Sequence, residues 1–256
     1  MSEVDVAALR DRVRAMERTT AVREPLSRSA AIEHLLPGGL RAGGTYAVHG
    51  SHSLLATLLA GGSADGRWCG LVGLPDLGVE SASGLGVDLT RTLVVPDPGE
   101  SWAEVTATLV EALPLVAVRP ASAPTRGDAT RLAARLRARS SALVVLLDDG
   151  AEMVRWPGLE ARLRVVAQEW SGITGGRGRL LGRELTVEVR PRTDPARRVR
   201  LVQRVDGTVH PAGPATPETS ETPAPTRLVP RTTSRGHPAD DTPGTSTAPE
   251  AEAVAS

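Results

Sequence analysis

Five short apolar runs, separated by helical patterns, limit the fold of this chain more than any other feature. The runs are TYAVH at 45–49, WCGLVG at 68–73, TLVV at 92–95, LVAV at 115–118 and ALVVLL at 142–147. Helices are predicted between them at 54–60, 102–113 and 128–139, the second opened by a Ser101 and Glu104 capping box. Fully apolar strands between helices are typical of a parallel sheet covered on both faces. The sequence therefore predicts an α/β fold with a mostly parallel sheet flanked by helices.

The pattern changes after Asp149. Extended segments are predicted at 162–170, 184–190 and 198–205, and Asp206-Gly207 is a hairpin signal. These segments predict a C-terminal antiparallel β extension of the sheet. The body of the protein is accordingly divided into an α/β core at 31–150 and its extension at 151–210.

Both ends of the chain differ from this body. Val6, Leu9, Val13 and Met16 fall on one face of a predicted helix at 3–17. Together with a linker, this helix forms a predicted N-terminal arm over residues 1–30. Its apolar face either folds back onto the core or docks on another subunit or partner, and the sequence leaves both alternatives open.

The segment from Pro211 to Ser256 is rich in Pro, Thr, Ser, Ala and Glu. Such a composition buries too little apolar surface to offset the entropy of ordering, so a disordered tail is predicted over 211–256. A solubilising tail is favoured over a partner-binding one. The TRLVPR stretch at 226–231 is the sole candidate docking peptide in the tail.

Composition excludes several kinds of chemistry. All 30 basic side chains are Arg, which excludes a phosphate-binding lysine, a lysine Schiff base and a lysine general base. The 30 acidic side chains bring the formal net charge to zero, so bulk electrostatics give no case for nucleic-acid binding. A lone Cys69 forms no internal disulfide, and neither Cys69 nor the five His show the spacing of a metal site. Without a long apolar segment, the chain is expected to be cytoplasmic, with no membrane contact.

Residues 36–61 (LPGGLRAGGTYAVHGSHSLLATLLAG) contain a glycine-rich turn, a strand, a loop beginning at glycine and a helix. This is the layout of a RecA-type nucleotide-binding region, whose phosphate loop has the spacing G-x-x-x-x-G-K-[ST]. Counted from Gly50, Leu55 occupies the second glycine position and Ala56 the lysine position, while Thr57 keeps the expected type. This degenerate loop predicts that no nucleotide cofactor is bound.

Further segments resemble the RecA superfamily. The stretch GLGVDLTRTLVVPDPGE at 84–100 is similar to the RecA helix end with its Leu-Gly-Val-Asp turn, next strand and following loop. The segment at 142–149 resembles a Walker B strand, with Asp148 at the metal-facing position. Where RecA proteins carry a catalytic Glu, the nearest residues are Leu74 and Pro75, followed by Asp76. The resemblance therefore implies a RecA-like fold without a catalytic base.

Among RecA-like proteins, the chain resembles the ImuA-type accessory proteins of bacterial mutasomes. The helical arm, the degenerate loop and the segments at 170–172 and 177–190 carry this resemblance. It implies a non-catalytic scaffold in translesion synthesis after DNA damage. The implied partners are an ImuB-type Y-family polymerase homologue, RecA and an error-prone replicative-type polymerase. The alternatives are a SulA-like division inhibitor that binds FtsZ and, more remotely, a residual ATPase that uses Thr57 and Asp148.

Several charged residues have two interpretations. Arg131, Arg135 and Arg139 share one face of a predicted helix. This face is either a solvated surface or a set of contacts with the DNA backbone. A second arginine cluster lies at 197–204, but few aromatic residues are available to stack on bases, so indirect association with DNA is favoured. Asp148 and Asp149 are interpreted as capping or solvated carboxylates rather than a metal site. His49 and His52 are interpreted as loop or surface residues.

The four tryptophans are candidates for core packing or for partner binding. Trp68, Trp102 and Trp170 are assigned to the starts of strands or helices and are expected to pack in the core. Trp156 is a candidate exposed anchor for a partner, because Trp is enriched at binding hot spots. Core or loop packing is the favoured alternative for Trp156.

Overall fold

Six parallel strands and three antiparallel strands form one sheet in the computed structural model, which describes residues 25–148, 156–174 and 177–213. The elements are β1 Pro25–Ser27, α1 Ala30–Leu35, β2 Leu40–Arg41, β3 Thr45–His49, α2 His52–Ala64, β4 Cys69–Val72, α3 Val79–Gly84, β5 Thr92–Val95, α4 Trp102–Ala112, β6 Leu115–Val118, α5 Arg126–Arg139, β7 Ala142–Leu147, β8 Ala161–Thr174, β9 Arg177–Pro191, β10 Arg197–Arg204 and β11 Val209–Pro211. Short 3₁₀ turns occupy Leu89–Arg91 and Gly99–Ser101. The predicted arm helix at 3–17 lies outside the described residues, as does the tail from residue 214 onward.

The order of strands in the sheet is β11-β10-β9-β8-β3-β7-β6-β4-β5. Strands β8, β3, β7, β6, β4 and β5 run parallel, and β9, β10 and β11 continue the sheet as antiparallel neighbours. The predicted mixed α/β fold is confirmed, with its mostly parallel sheet and its antiparallel extension. The predicted turn at Asp206-Gly207 joins β10 to β11, and the Asp206 carboxylate accepts a hydrogen bond from the Thr208 N–H at 2.9 Å.

Helices cover both faces of the parallel part. Helices α1, α2 and α3 cover one face, where Leu55 and Leu58 pack in the same core as Val48 and Leu71. Helices α4 and α5 cover the other face, where Leu132 packs in a core with the opposite side chains of these strands. Because adjacent residues of a strand point to opposite faces, a strand buried on both sides must be apolar throughout. This is why the apolar runs predicted the strands.

The predicted linker does not extend to residue 30. Pro25–Ser27 forms β1, which pairs with β2, and the Ser27 hydroxyl donates to the Leu58 carbonyl oxygen at 2.8 Å. Gly61 and Gly62 of α2 allow this contact, because a Cβ on Gly61 would lie 2.5 Å from Ser27 Oγ. The folded body therefore begins by residue 25. At the other end, Pro211 belongs to β11 rather than to the predicted tail.

The predicted capping box at Ser101 is wrong. Ser101 has φ −81° and ψ 10°, is the last residue of a 3₁₀ turn, and its side chain makes no capping hydrogen bond. A capping box is instead present at α5, where the Thr125 hydroxyl accepts from the Asp128 N–H at 3.1 Å. Asp128 Oδ2 in return accepts from the Thr125 N–H at 3.2 Å. A side-chain cap needs an extended backbone at the first residue, which Thr125 has and Ser101 lacks.

The tryptophans divide into two buried and two exposed. Trp102 is buried, as predicted, and its ring centroid lies 6.0 Å from that of Trp156. Trp156 is only 4% exposed, so the candidate exposed anchor is contradicted by its packing on Trp102. Trp68 and Trp170 were expected in the core, but they are 48% and 55% exposed. Trp68 precedes β4, and Trp170 lies on the part of β8 that extends past the helices.

We expect Cys69 to resist thiol reagents in the folded protein. Its side chain is fully buried, and this burial raises the pKa of the thiol from 9.0 to about 11, although a hydrogen bond with Ser63 acts in the opposite direction. The stabilising effect of keeping the thiol protonated is complete below pH 9 and is lost as the pH rises toward 11. Mass spectrometry after iodoacetamide treatment at pH 8 should show labelling in urea and almost none without it. Equal labelling rates would contradict the packing.

None of the helices in the described ranges has the combination of length and apolar character that a membrane span requires.

Candidate functional site

The carboxyl ends of the parallel strands meet at one edge of the sheet, where ligands bind in open α/β sheets. A cleft of about 1080 Å³ lies there. Gly50–Ser53 form one side of the cleft, α3 contributes a second side, and the distal parts of β8, β9 and β10 contribute a third. The turn at Gly207 closes against Gly84 of α3. This cleft is the candidate functional site.

The residues at the phosphate-loop positions do not form an open loop. Helix α2 begins at His52, two residues after Gly50, so the residues at 52–56 are already helical. The Leu54 N–H donates to Ser51 Oγ at 3.2 Å, and the Leu55 N–H donates to the Ser51 carbonyl oxygen at 3.0 Å. A phosphate loop needs such amides directed at the anion. Here they are engaged by the cap and the first turn of α2.

The side chains at the motif positions point to the same conclusion. Leu55 and Ala56 are 0% and 1% exposed, so neither the glycine nor the lysine of a working loop has a functional replacement. Thr57 retains the expected type, but it is buried and its hydroxyl donates to the Ser53 carbonyl oxygen at 2.8 Å. The interaction is an internal helix contact. Thr57 is therefore not placed to serve a metal ion.

Asp148 is part of an ion cluster at the same sheet edge. Arg119, which follows β6, lies 2.9 Å from the Asp148 carboxylate and 3.3 Å from the Asp76 carboxylate. These residues follow β7, β6 and β4, which places them together. Two carboxylates with one guanidinium between them carry less local negative charge than a free metal-binding pair. Asp148 and Asp76 therefore share an arginine, whereas Asp149, which is interpreted together with Asp148, lies outside the described residues.

The third side of the cleft comes from the antiparallel extension. The Arg183 guanidinium lies 5.1 Å from the Trp170 ring centroid, on residues that face each other across β8 and β9. Arg183 Nε also donates to Gln203 Oε1 at 2.7 Å. Burial lowers the pKa of Arg183 from its ordinary value, but an arginine remains charged at neutral pH. The Trp170–Arg183 pair is a partly exposed group at the cleft.

Three exposed apolar side chains continue along this wall. Trp170, Leu181 and Val205 are 55%, 60% and 65% exposed. They lie on neighbouring strands and at the end of β10, on the face where Leu185 and Leu201 are buried. We call Trp170, Leu181 and Val205 the apolar rim. A cluster of large exposed apolar residues beside a cleft is typical of a protein-binding surface.

The sequence reasoning missed this surface, although a signal was present. From Leu181 to Val189 every second residue is apolar except Arg183, and the alternation identifies one face of β9. Apolar residues at the far end of such a face, beyond the reach of the helices, are the exposed ones. The boundary of helix coverage depends on the tertiary fold, so the sequence alone could not place it.

The candidate DNA-contacting arginines lie elsewhere, on α5. Arg131 forms an ion pair with Asp128 at 2.6 Å, and Arg135 pairs with Glu111 at 3.3 Å. Arg139 is exposed in the last turn of the helix. Because two of the three guanidinium groups are matched by carboxylates, this ridge presents less positive charge than the sequence suggests.

The two histidines near the degenerate loop, His49 and His52, differ in their surroundings. His49 ends β3 and is 7% exposed, so it is a buried strand residue rather than a loop or surface one. His52 begins α2 and lines the cleft. Its Nε2 has no hydrogen-bond partner within the described ranges. His52 therefore lines the cleft with a ring nitrogen that is buried and unpaired among the described residues.

Comparison with known proteins identifies the family. Residues 34–158 match a family model described as the MT3502 N-terminal domain. Over 174 residues the chain is 34% identical to "Uncharacterized protein Rv3395c" of Mycobacterium tuberculosis, in an alignment that covers 65% of this chain and 82% of that protein. The chain belongs to this MT3502 protein family.

The family match covers one part of the candidate site. The matched residues 34–158 include α2, Asp76, Arg119 and Asp148, but β8 and β9 follow them. The alignment with the mycobacterial relative covers more residues than the family model does. The likeness to that relative therefore extends beyond the N-terminal domain that the model describes.

Proposed function

We propose that this protein is a non-catalytic, RecA-like scaffold of a translesion-synthesis mutasome, active in DNA-damage-induced mutagenesis in the cytoplasm. One observation carries the non-catalytic part of the proposal. Helix α2 starts at His52 and engages the amides that a nucleotide phosphate would need. A RecA-like protein built in this way acts by binding other macromolecules rather than by hydrolysing ATP.

The RecA-like assignment has support from the arrangement of the resembling segments. The strand after the glycine-rich turn, β3, lies within the sheet and pairs in parallel with β7, the Walker-B-like strand. The Leu-Gly-Val-Asp turn at 85–88 follows α3 and leads to β5. The antiparallel extension is added beyond β3 and β8. Two of the resembling segments thus lie on neighbouring strands, which supports the assignment.

The apolar rim supports a protein-binding role. We propose that it binds a segment of an ImuB-type Y-family polymerase homologue, with the Trp170 ring as the central anchor and Arg183 holding it in place. Trp and Arg are the residue types most enriched in binding hot spots, and neighbouring apolar residues exclude water around them. RecA and an error-prone replicative-type polymerase are proposed as further partners of the assembly.

The test is affinity capture of the tagged full-length protein from DNA-damaged cells, with mass spectrometry of the bound proteins. A Y-family polymerase homologue should be enriched over a tag-only control, together with RecA or an error-prone polymerase. Recovery of FtsZ without these proteins would overturn the mutasome proposal in favour of a division inhibitor. The same capture is carried out from undamaged cells that express the tagged protein at the same level. Comparing the two captures separates the choice of partner from the abundance of each partner in the cell.

A further inference from the structure

The face of β8, β9 and β10 that points away from the cleft carries a row of arginines. Helices α4 and α5 cover this side of the sheet along the parallel strands. Along the antiparallel extension, no described helix packs on this side. We call these residues the arginine face: Arg162, Arg164, Arg190, Arg198 and Arg200. Each is exposed or partly exposed.

Strand alternation fixes the direction of these side chains. Leu163 on β8, Val189 on β9 and Val199 on β10 are at most 5% exposed and belong to the core beneath α1 and α2. Their neighbours along each strand must point to the opposite face. The arginines are therefore held in one plane by a packed sheet rather than by a mobile loop.

Two of the arginines face each other. Arg162 of β8 is the direct register partner of Arg190 of β9. Like charges at directly opposite positions of antiparallel strands are destabilising. Beside them is a cavity of about 180 Å³, lined by Arg162, Arg190, Arg164, Glu188 and His49. One water molecule takes about 30 Å³, so the cavity has room for a phosphate group.

Carboxylates offset only part of this charge. Glu188 lies 2.6 Å from Arg190, and Glu184 lies 3.0 Å from Arg200. Arg162 has no ion-pair partner among the described residues. On α5, in contrast, Arg131 and Arg135 each have a carboxylate partner. The arginine face therefore has a larger excess of positive charge than the helix ridge.

The spacing favours a polyanion over a single ion. Residues two apart on a strand are separated by about 6.6 Å, and neighbouring strands by about 4.8 Å. Arg162 and Arg164 on β8 and Arg190 on β9 thus form one group, while Arg198 and Arg200 form a second group on β10. No aromatic side chain lies among these positions, so base stacking is not part of the recognition.

We infer that the arginine face binds the phosphodiester backbone of nucleic acid, with the cavity between Arg162 and Arg190 holding one phosphate. Arginine guanidinium groups donate paired hydrogen bonds to phosphate oxygens, and backbone contacts of this kind are independent of base sequence. The inference concerns a surface on the other side of the sheet from the apolar rim. A scaffold with these two faces would hold a protein partner and a DNA strand at the same time.

Fluorescence anisotropy with a labelled single-stranded DNA oligonucleotide and the full-length chain tests this inference. The double variant Arg162→Ala and Arg190→Ala should weaken binding at least tenfold in 50 mM salt. It should also reduce the slope of log affinity against log salt by about 0.7, since the pair holds one phosphate and each phosphate contact on single strands contributes about 0.7. The matched control, Arg131→Ala with Arg135→Ala, removes two arginines from α5 and should change affinity less than twofold.

Two further measurements separate the alternatives. Inorganic phosphate at millimolar concentration should compete weakly, because it replaces only one of several contacts; complete displacement would reassign the cavity to a free anion. Circular dichroism melting should show the double variant to be folded, since it removes a like-charge pair. Equal losses in both double variants would mean diffuse charge attraction, and undetectable binding of the unaltered chain at low salt would overturn the inference.

Discussion

Replacing Leu55 with Ala should lower the free energy of unfolding by about 2–5 kcal/mol, the usual cost of removing a fully buried leucine side chain. Leu55 is 0% exposed and packs in the core under α2. Leu55→Gly should cost about 1 kcal/mol more, because glycine disfavours a helix interior. The residue that a phosphate loop needs at this position is thus the one that this fold cannot accept. Urea denaturation followed by circular dichroism measures both variants.

Leu181→Ala is the matched control, since Leu181 is 60% exposed on the apolar rim. Its free energy of unfolding should change by less than about 0.5 kcal/mol. A loss below 1 kcal/mol for Leu55→Ala would contradict the buried position of Leu55. It would also remove the main physical reason for a closed nucleotide site.

Replacing Trp170 with Ala should weaken binding to an ImuB-type Y-family polymerase homologue at least about 30-fold, which corresponds to a hot-spot loss of about 2 kcal/mol. The change removes the largest exposed ring of the apolar rim and leaves Arg183 without its 5.1 Å ring contact. Biolayer interferometry with the purified partner measures the dissociation constant. Most of the loss should appear as faster dissociation.

Trp68→Ala provides the control, because Trp68 is 48% exposed and precedes β4, away from the extension. Its dissociation constant should stay within about twofold of the unaltered protein. If Trp68→Ala weakened binding and Trp170→Ala did not, the docking surface would lie near β4 and β5. If neither variant changed the affinity, the apolar rim would not be the docking surface.

The sequence predicted the parallel strands well. The bounds predicted for β3, β5, β6 and β7 agree with the structure. Strands β3, β6 and β7 are buried on both faces and are therefore apolar over nearly their full length, whereas β5 is an edge strand on which Leu93 and Val94 are exposed. The antiparallel extension was also predicted, with β8 and β9 longer than expected. Burial alternates along β9, and its first five residues are all exposed. No change from apolar to polar residues therefore marks where the strand begins.

Other features depend on tertiary contacts that no local pattern encodes. Strand β1 has three residues, and its burial depends on the glycines of α2. The exposure of Trp68 and Trp170 depends on where helix coverage ends. At the candidate site, the residue types at 55–57 showed only that the glycine and the lysine of a phosphate loop are replaced. The early start of α2 at His52, which engages the amides directly, was visible only in the structure.

We propose that the degenerate loop at residues 50–57 binds no nucleotide and that the protein acts through its binding surfaces. Isothermal titration of the full-length chain with ATP and Mg²⁺ tests it most directly. The engaged amides of α2 and the shared arginine between Asp76 and Asp148 predict no measurable heat of binding at millimolar ATP. A saturable isotherm with micromolar affinity would contradict the claim and restore a nucleotide-dependent function.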